Sequence, residues 1–287
     1  MIINGTHVAN IKLDNLIHRI SKLKIKGIIP KLGILLIGDN MDSIMYINMK
    51  QKKCIEYGID VKVVHFPVDV NQRDIISIIN DMNNNNTIHG ILIQLPLPTN
   101  LNTHFIINSI HPSKDVDGLT YTSIGKISHN VDSYISSTSR GCIELLEYYK
   151  LLPYNEEFKV VIIGDSIHIG IPLSILFMKR GYNVQVCNKY TKNIKYITKE
   201  ADLLLTACGV PHLIKSDWIQ SNCILVDIGI NKKGSNIVGD IDYDNVYNKC
   251  RAITPVPGGI GPMTIAILLT QLVESSERYY RSTISNL

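Results

Sequence analysis

The chain has no apolar run approaching the ~18 residues that cross a bilayer; its uninterrupted apolar stretches are short, such as Ile34 to Ile37. Its start, MIINGTHVANIKLD, lacks a charged leader, an apolar stretch and a small-residue cleavage site. The expectation is therefore no signal peptide, no membrane association and a cytoplasmic or equivalent location. It has no C-x-x-C pair: Cys54, Cys142, Cys187, Cys208, Cys223 and Cys250 are scattered, as reduced core thiols are and disulfide frameworks are not. The nine histidines fall in no metal-ligand spacing, so no metal is expected. Runs of Lys and Arg interleaved with aromatics are missing and the net charge is only +4. Nucleic acid is thus a poor partner, and an acidic small molecule is compatible.

What the chain does have is length and alternation. Its 287 residues, 45% hydrophobic and 19% charged, suit two globular domains of ordinary size or one large one. Apolar periodicity predicts helices over 9–25, 43–57 and 72–84, and strands over 32–38 (LGILLIG), 60–66 (DVKVVHF) and 89–95 (HGILIQL). From Pro96 to Ser139 the pattern breaks down, with Pro96, Pro98 and Pro112 predicting irregular chain. A helix over 139–150 opens a second series, with strands at 158–163, 183–187, 202–206 and 223–228 and helices at 169–180 and 191–199. A last helix runs from about 262 to 280. Alternating strands and helices predict an α/β fold, with parallel sheets and helical crossovers in two domains that meet near 140–150.

Five stretches stand out chemically. KVVIIGDSIHIGIP (159–172) reads as a buried strand, a glycine turn at Gly164 and a helix starting near Gly170, the layout that offers helix N–H groups to a pyrophosphate. The strand ending at Cys187 is followed by Asn188, Lys189 and Lys192 rather than an acid. Lysines there suit a ribose 2′-phosphate, whereas Asp165 in the first turn would repel one. In SIMYINMKQKKC (43–54), helical spacing sets Tyr46, Lys50 and Lys53 on one side. A desolvated lysine there would serve as acid or base; a solvent-facing stripe is the plain alternative. Gln94 closes a buried strand at its carboxyl end, and Asp115 and Asp117 in KDVDG suit a heterocycle bearing N–H groups or an Asp-Gly turn. In TPVPGGIGPMT (254–264), Gly258, Gly259 and Gly261 allow close backbone approach before a helix opened by Pro262.

Taken in order, the blocks IGDN (37–40), Y-x-x-x-K (Tyr46, Lys50), GILIQLPLP (90–98), HPSKDVDG (111–118) and TPVPGGIGPMT (254–264) resemble the bifunctional methylenetetrahydrofolate dehydrogenase/methenyltetrahydrofolate cyclohydrolase family, from about Lys31 through Tyr280. The resemblance implies a folate-binding catalytic domain (1–140 with the helix 262–287) and a Rossmann-like NAD(P)-binding domain with a parallel sheet (141–261). It implies Lys50, Gln94, Tyr46 and Asp117 as catalytic. Lys50 handles the proton under Gln94's influence, Tyr46 stacks on the folate and Asp117 anchors its pterin-like ring. Gly258, Gly259, Pro262 and Thr264 join these four in binding folate. Gly164, Asp165, Ser166, Gly170, Asn188, Lys189 and Ile230 would bind the cofactor, NADP with NAD as the alternative. A homodimer is implied too.

The chain also departs from that family. SSTSRG (136–141) stands where the family usually has PCTP-x-G, and the cofactor turn reads Gly164-Asp165-Ser166 where G-R-S is common. Loss of both prolines predicts a looser linker. Two other readings follow: a folate-binding homologue that has lost cofactor use, and a dehydrogenase without cyclohydrolase activity.

Overall fold

A computed structural model describes residues 1–153, 157–234 and 236–285. In chain order the elements are α1 (Gly5–Ile25), β1 (Lys31–Ile37), α2 (Met41–Glu56), β2 (Asp60–Phe66), α3 (Gln72–Asn84), β3 (Gly90–Ile93), α4 (Thr103–Ile107), α5 (Tyr121–Ser128) and α6 (Ser137–Tyr148). There follow β4 (Lys159–Ile163), α7 (Gly170–Met178), β5 (Asn183–Cys187), α8 (Ile194–Lys199), β6 (Leu203–Thr206) and β7 (Ile224–Asp227). Last come β8 (Asn231–Lys233), β9 (Asn236–Val238), α9 (Tyr243–Val246), β10 (Ala252–Ile253) and α10 (Ile260–Ser285). Every helix and strand expected between residues 9 and 93 is present, with ends shifted by a few residues. The stretch 96–139, expected to be irregular, holds α4 and α5. Both are short helices started by side-chain caps, Asn102 accepting from the Phe105 N–H and Thr120 from the Ser123 N–H.

The chain divides into two compact units: Ile11–Ile135 with Ile265–Leu287, and Met1–Asn10 with Ser136–Thr264. In the first, β1 lies between β2 and β3 in a three-stranded parallel sheet. The central strand reads KLGILLI and is buried from Leu32 onward, as is all of β3, whereas β2 alternates as an edge does. Ile75, Ile79 and Met82 of α3 close one face over Leu35, Ile37, Ile91 and Ile93.

The second unit holds a five-stranded parallel sheet in the order β10-β7-β6-β4-β5. Successive connections run from β4 outward to β5 and then back past β4 to β6. The carboxyl ends of β4 and β6 therefore flank a reversal of strand order, where open α/β sheets bind ligands. Residues 1–10, expected in the first domain, belong to this unit. The reason is a backbone stitch: Ile3 N–H donates to the Ile253 carbonyl at 2.8 Å, Ile253 N–H donates back to Met1 at 3.0 Å, and Thr6 N–H donates to Gly258 at 3.0 Å. Such pairing carries almost no side-chain signature. The hairpin β8–β9 and the two-residue β10 were likewise not expected from the sequence, being too short to show a period.

Candidate active site

In the three-stranded unit the site forms at the carboxyl ends of β1 and β3. The chain leaves β1 through Gly38, at φ +76°, and Asn40 caps α2 by accepting the N–H groups of Asp42 and Ser43, each at 3.0 Å. IGDN is thus the turn that aims α2. One and two turns along, α2 presents Tyr46 and Lys50. Gln94 follows β3, and its N–H donates to the Leu35 carbonyl at 2.9 Å, continuing the ladder. Its own amide donates to the Leu95 carbonyl at 2.8 Å, which turns its oxygen toward Lys50; Lys50 Nζ donates to Gln94 Oε1 at 2.9 Å. Burial lowers the Lys50 pKa, and the nearby Asp117 carboxylate pulls it back up. Burial, with Asp42 beside it, raises the Tyr46 phenol.

Residue type alone leaves Asp115 and Asp117 alike, the family resemblance picks Asp117, and their surroundings now separate the two. Asp115 is buried and accepts from the Leu119 N–H (3.1 Å), the Thr120 N–H (2.9 Å) and the Ser123 hydroxyl (2.6 Å). It ties up its own turn, leaving Asp117 to act on Lys50. Lys53 does not join this group either; it donates to Glu56 at 3.1 Å. Cys54, one turn beyond Lys50, is fully buried, and its thiol is pushed up to about 12, so it stays protonated. Two cavities of about 630 and 540 Å³ both reach His89 and Tyr279, at the opposite, amino-terminal end of the strands. None of Tyr46, Lys50, Gln94 or Asp117 lines either one.

In the five-stranded unit the turn after β4 has the geometry of a nucleotide cradle. Gly164, at φ +115°, donates its N–H to the Cys187 carbonyl at 2.8 Å, and a Cβ on it would run into the Ala207 carbonyl. A Cβ at Gly170 would strike the Gly164 carbonyl. Ser166 folds the turn between them: its hydroxyl accepts from Ile169 N–H at 3.2 Å and its carbonyl from Ile171 N–H at 3.0 Å. Two glycines that nothing larger can replace, at the start of α7 and at the strand-order reversal, fit a nicotinamide dinucleotide. The acid missing after β5 is supplied from the β4 turn, because Asn188 Nδ2 donates to Asp165 Oδ2 at 2.8 Å. Lys189 instead lies over its neighbour's ring, 5.0 Å from the Tyr190 centroid. Ile230, after β7, is exposed.

The loop after β6 is held by an acid that the sequence does not reveal. Asp240 is fully buried and accepts from three successive N–H groups, Cys208 (2.8 Å), Gly209 (3.2 Å) and Val210 (3.0 Å), and from Asn231 (2.9 Å). Asp227 in turn accepts from Asp240 N–H at 2.9 Å and Ile241 N–H at 2.8 Å, and burial pushes its carboxyl up to about 7. These acids are distant in sequence from the loop they hold, so spacing gives no sign of them. In TPVPGGIGPMT, the glycines meet the chain itself: a Cβ on Gly5 would strike the Gly259 carbonyl, and one on Gly259 would come within 2.6 Å of the Pro255 carbonyl. Pro262 falls in the first turn of α10, and Thr264 Oγ1 lies 3.2 Å from Thr138 Oγ1.

Two family models match the chain. The tetrahydrofolate dehydrogenase/cyclohydrolase catalytic domain covers residues 3–117, and the NAD(P)-binding domain of the same enzymes covers 136–280. A bifunctional FolD protein of Lactobacillus johnsonii is 41% identical over 96% of this chain and 98% of its own length. The bifunctional FolD dehydrogenase/cyclohydrolase of Campylobacter jejuni superposes with a TM-score of 0.92 at 36% identity, covering 97% of this chain and 99% of that one. A Trypanosoma brucei dehydrogenase-cyclohydrolase, solved with NADP and an inhibitor, has the same TM-score at 27% identity, with 98% of each chain covered.

Proposed function

The chain belongs to the tetrahydrofolate dehydrogenase/cyclohydrolase family, and on that footing we propose that it catalyses both reactions. Methylenetetrahydrofolate is oxidised to methenyltetrahydrofolate with NAD(P), and the methenyl compound is hydrolysed to formyltetrahydrofolate. The observation that carries this reading is the Lys50–Gln94 hydrogen bond of 2.9 Å around an amine whose pKa burial lowers. A lysine whose pKa burial lowers gives up its proton more readily than one in water, as the proton transfers of the hydrolysis require.

Bound at the Gly164–Gly170 turn, a nicotinamide supplies the hydride acceptor for the oxidation. The chain's contribution to that step is alignment, with Tyr46 stacked on the folate and Asp117 accepting from the N–H groups of its pterin-like ring. Gly258, Gly259, Pro262 and Thr264 are assigned to folate as well. In the hydrolysis, Lys50 takes a proton as water adds to the methenyl carbon and delivers it to the ring nitrogen as the C–N bond breaks. The remaining hydroxyl proton leaves to solvent. Gln94 keeps the amine aimed throughout.

Purified protein should reduce NAD(P) with methylenetetrahydrofolate and hydrolyse the methenyl compound. Lys50→Met should lower hydrolysis by about 10²- to 10⁴-fold, the range general acid–base groups supply; unchanged hydrolysis removes Lys50 from the mechanism.

We assign NADP as the preferred cofactor, on Lys189 and the lack of an acid in the residues that directly follow β5. A second reading, NAD, is favoured by the Asp165–Asn188 contact, since a carboxylate at the end of β5 accepts from a ribose hydroxyl and repels a phosphate. Steady-state comparison of the two cofactors decides between them. Asp165→Ala should raise kcat/KM for NADP relative to NAD whichever wins. A homodimer completes the proposal, with a light-scattering mass of twice 32.2 kDa expected. No described helix is long and apolar enough to cross a membrane.

A further inference from the structure

Resting on the cofactor site just proposed, we infer that Ser136 and Ser139 are positioning residues of the nicotinamide-nucleotide turn, in place of the two prolines expected there. Both begin α6, and neither hydroxyl serves that helix. Ser136 occupies the N-cap position, where a serine normally accepts from an N–H of its own first turn; no side-chain cap bond is made. Its hydroxyl donates instead to the His168 carbonyl at 2.6 Å. The Ser139 hydroxyl donates to the next carbonyl, that of Ile169, at 3.1 Å. Both serines are buried, Ser136 at 2% and Ser139 at 0% relative exposure.

The two accepting carbonyls close the Gly164–Gly170 turn from the side away from Gly164. Ile169 lies in an unusual conformation, φ −133° and ψ −65°, and has no side-chain cap to fix it. Its carbonyl accepts the first helical N–H of α7, from Leu173 at 2.9 Å, as well as the Ser139 hydroxyl. Anchoring 168 and 169 thus sets where α7 begins and where its first N–H groups aim. Between the two serines, Thr138 meets Thr264 at 3.2 Å, so the same turn of α6 grips the start of α10. The two hydroxyls thus tie the start of α6 to the cofactor turn by hydrogen bonds.

The test is the double variant Ser136→Ala/Ser139→Ala, with Ser136→Thr/Ser139→Thr to return the hydroxyls. Alanine leaves α6 no less capped than before. Losing one buried hydrogen bond shifts an equilibrium by about 2- to 12-fold, so the cofactor KM should rise about 5-fold or more. Expected alongside are a kcat nearly unchanged, a hydrolysis rate within about 2-fold of the parent, and recovery in the threonine variant. An unchanged cofactor KM overturns the assignment. So does a parallel fall of oxidation, hydrolysis and melting temperature, the mark of general damage. Amide exchange in the cofactor-free protein separates this inference from the functional reading beneath it. The alanine pair should speed exchange at Ile169 and Ile171 even if the parent takes neither cofactor, and unchanged exchange there refutes the anchor by itself.

Discussion

At the scale of single residues, the proposed chemistry rests on how Lys50 is balanced between burial, which favours the free amine, and Asp117, which favours the ammonium. Gln94 contacts the amine without adding charge. Gln94→Glu keeps the shape and places a carboxylate on Nζ, so it should hold the lysine protonated. Hydrolysis at pH 7 should fall by up to about 10-fold for each pKa unit gained, and should recover as pH rises. An unshifted pH profile would show that Lys50 is not the titrating group. The places of Lys50 on a helical face and Gln94 at the end of a buried strand are legible from local pattern, whereas their roles come from the family resemblance. Asp115 and Asp117 are not separable that way. Which of two acids in one short turn faces inward depends on the Thr120 and Ser123 donors that the folded turn delivers.

At the scale of elements, long amphipathic helices and β-branched runs are recognisable from periodicity alone, and parallel strand direction follows once strand and helix alternate. The loops that build the site are held by contacts with no period. Asp227 and Asp240 join the ends of β6 and β7 to the segment 239–241 through backbone N–H groups, and no spacing rule predicts that. A titration should expose this clamp. The Asp227 carboxyl is raised from 3.8 to about 7 by burial, so the folded state binds its proton more tightly than the unfolded chain does. The stability this contributes is full below about pH 4 and is lost as pH rises toward 7. Asp227→Asn cannot ionise. Its deficit against the parent in urea unfolding should therefore be largest at or below about pH 4 and shrink toward pH 8. A deficit that is constant across that range would mean Asp227 is ionised throughout.

At the scale of the whole molecule, the two proposed reactions share the folate residues, and only the oxidation also needs a nicotinamide. Oxidation requires a nicotinamide on the five-stranded unit. The proposed hydrolysis draws on Lys50, Gln94 and Asp117, all of which lie in the three-stranded unit. The expected boundary near residue 140 lies close to Ser136, where the chain changes units, because a sequence marks a linker by its breakdown of pattern. The placement of residues 1–10 with the second unit came from main-chain pairing to Ile253, which composition does not encode. If the two sites are that separable, a lesion confined to the cofactor turn should split the activities. Gly170→Ala puts a methyl group against the Gly164 carbonyl, so the turn must open to admit it. A misplacement of about 1 Å costs on the order of 100-fold in a reaction that depends on alignment. Oxidation by this variant should fall by about that factor, while hydrolysis of the methenyl compound, assayed without cofactor, stays within about 2-fold of the parent. A matched loss of both activities in a variant that melts at the parent's temperature would mean that the cofactor turn also shapes the hydrolytic site.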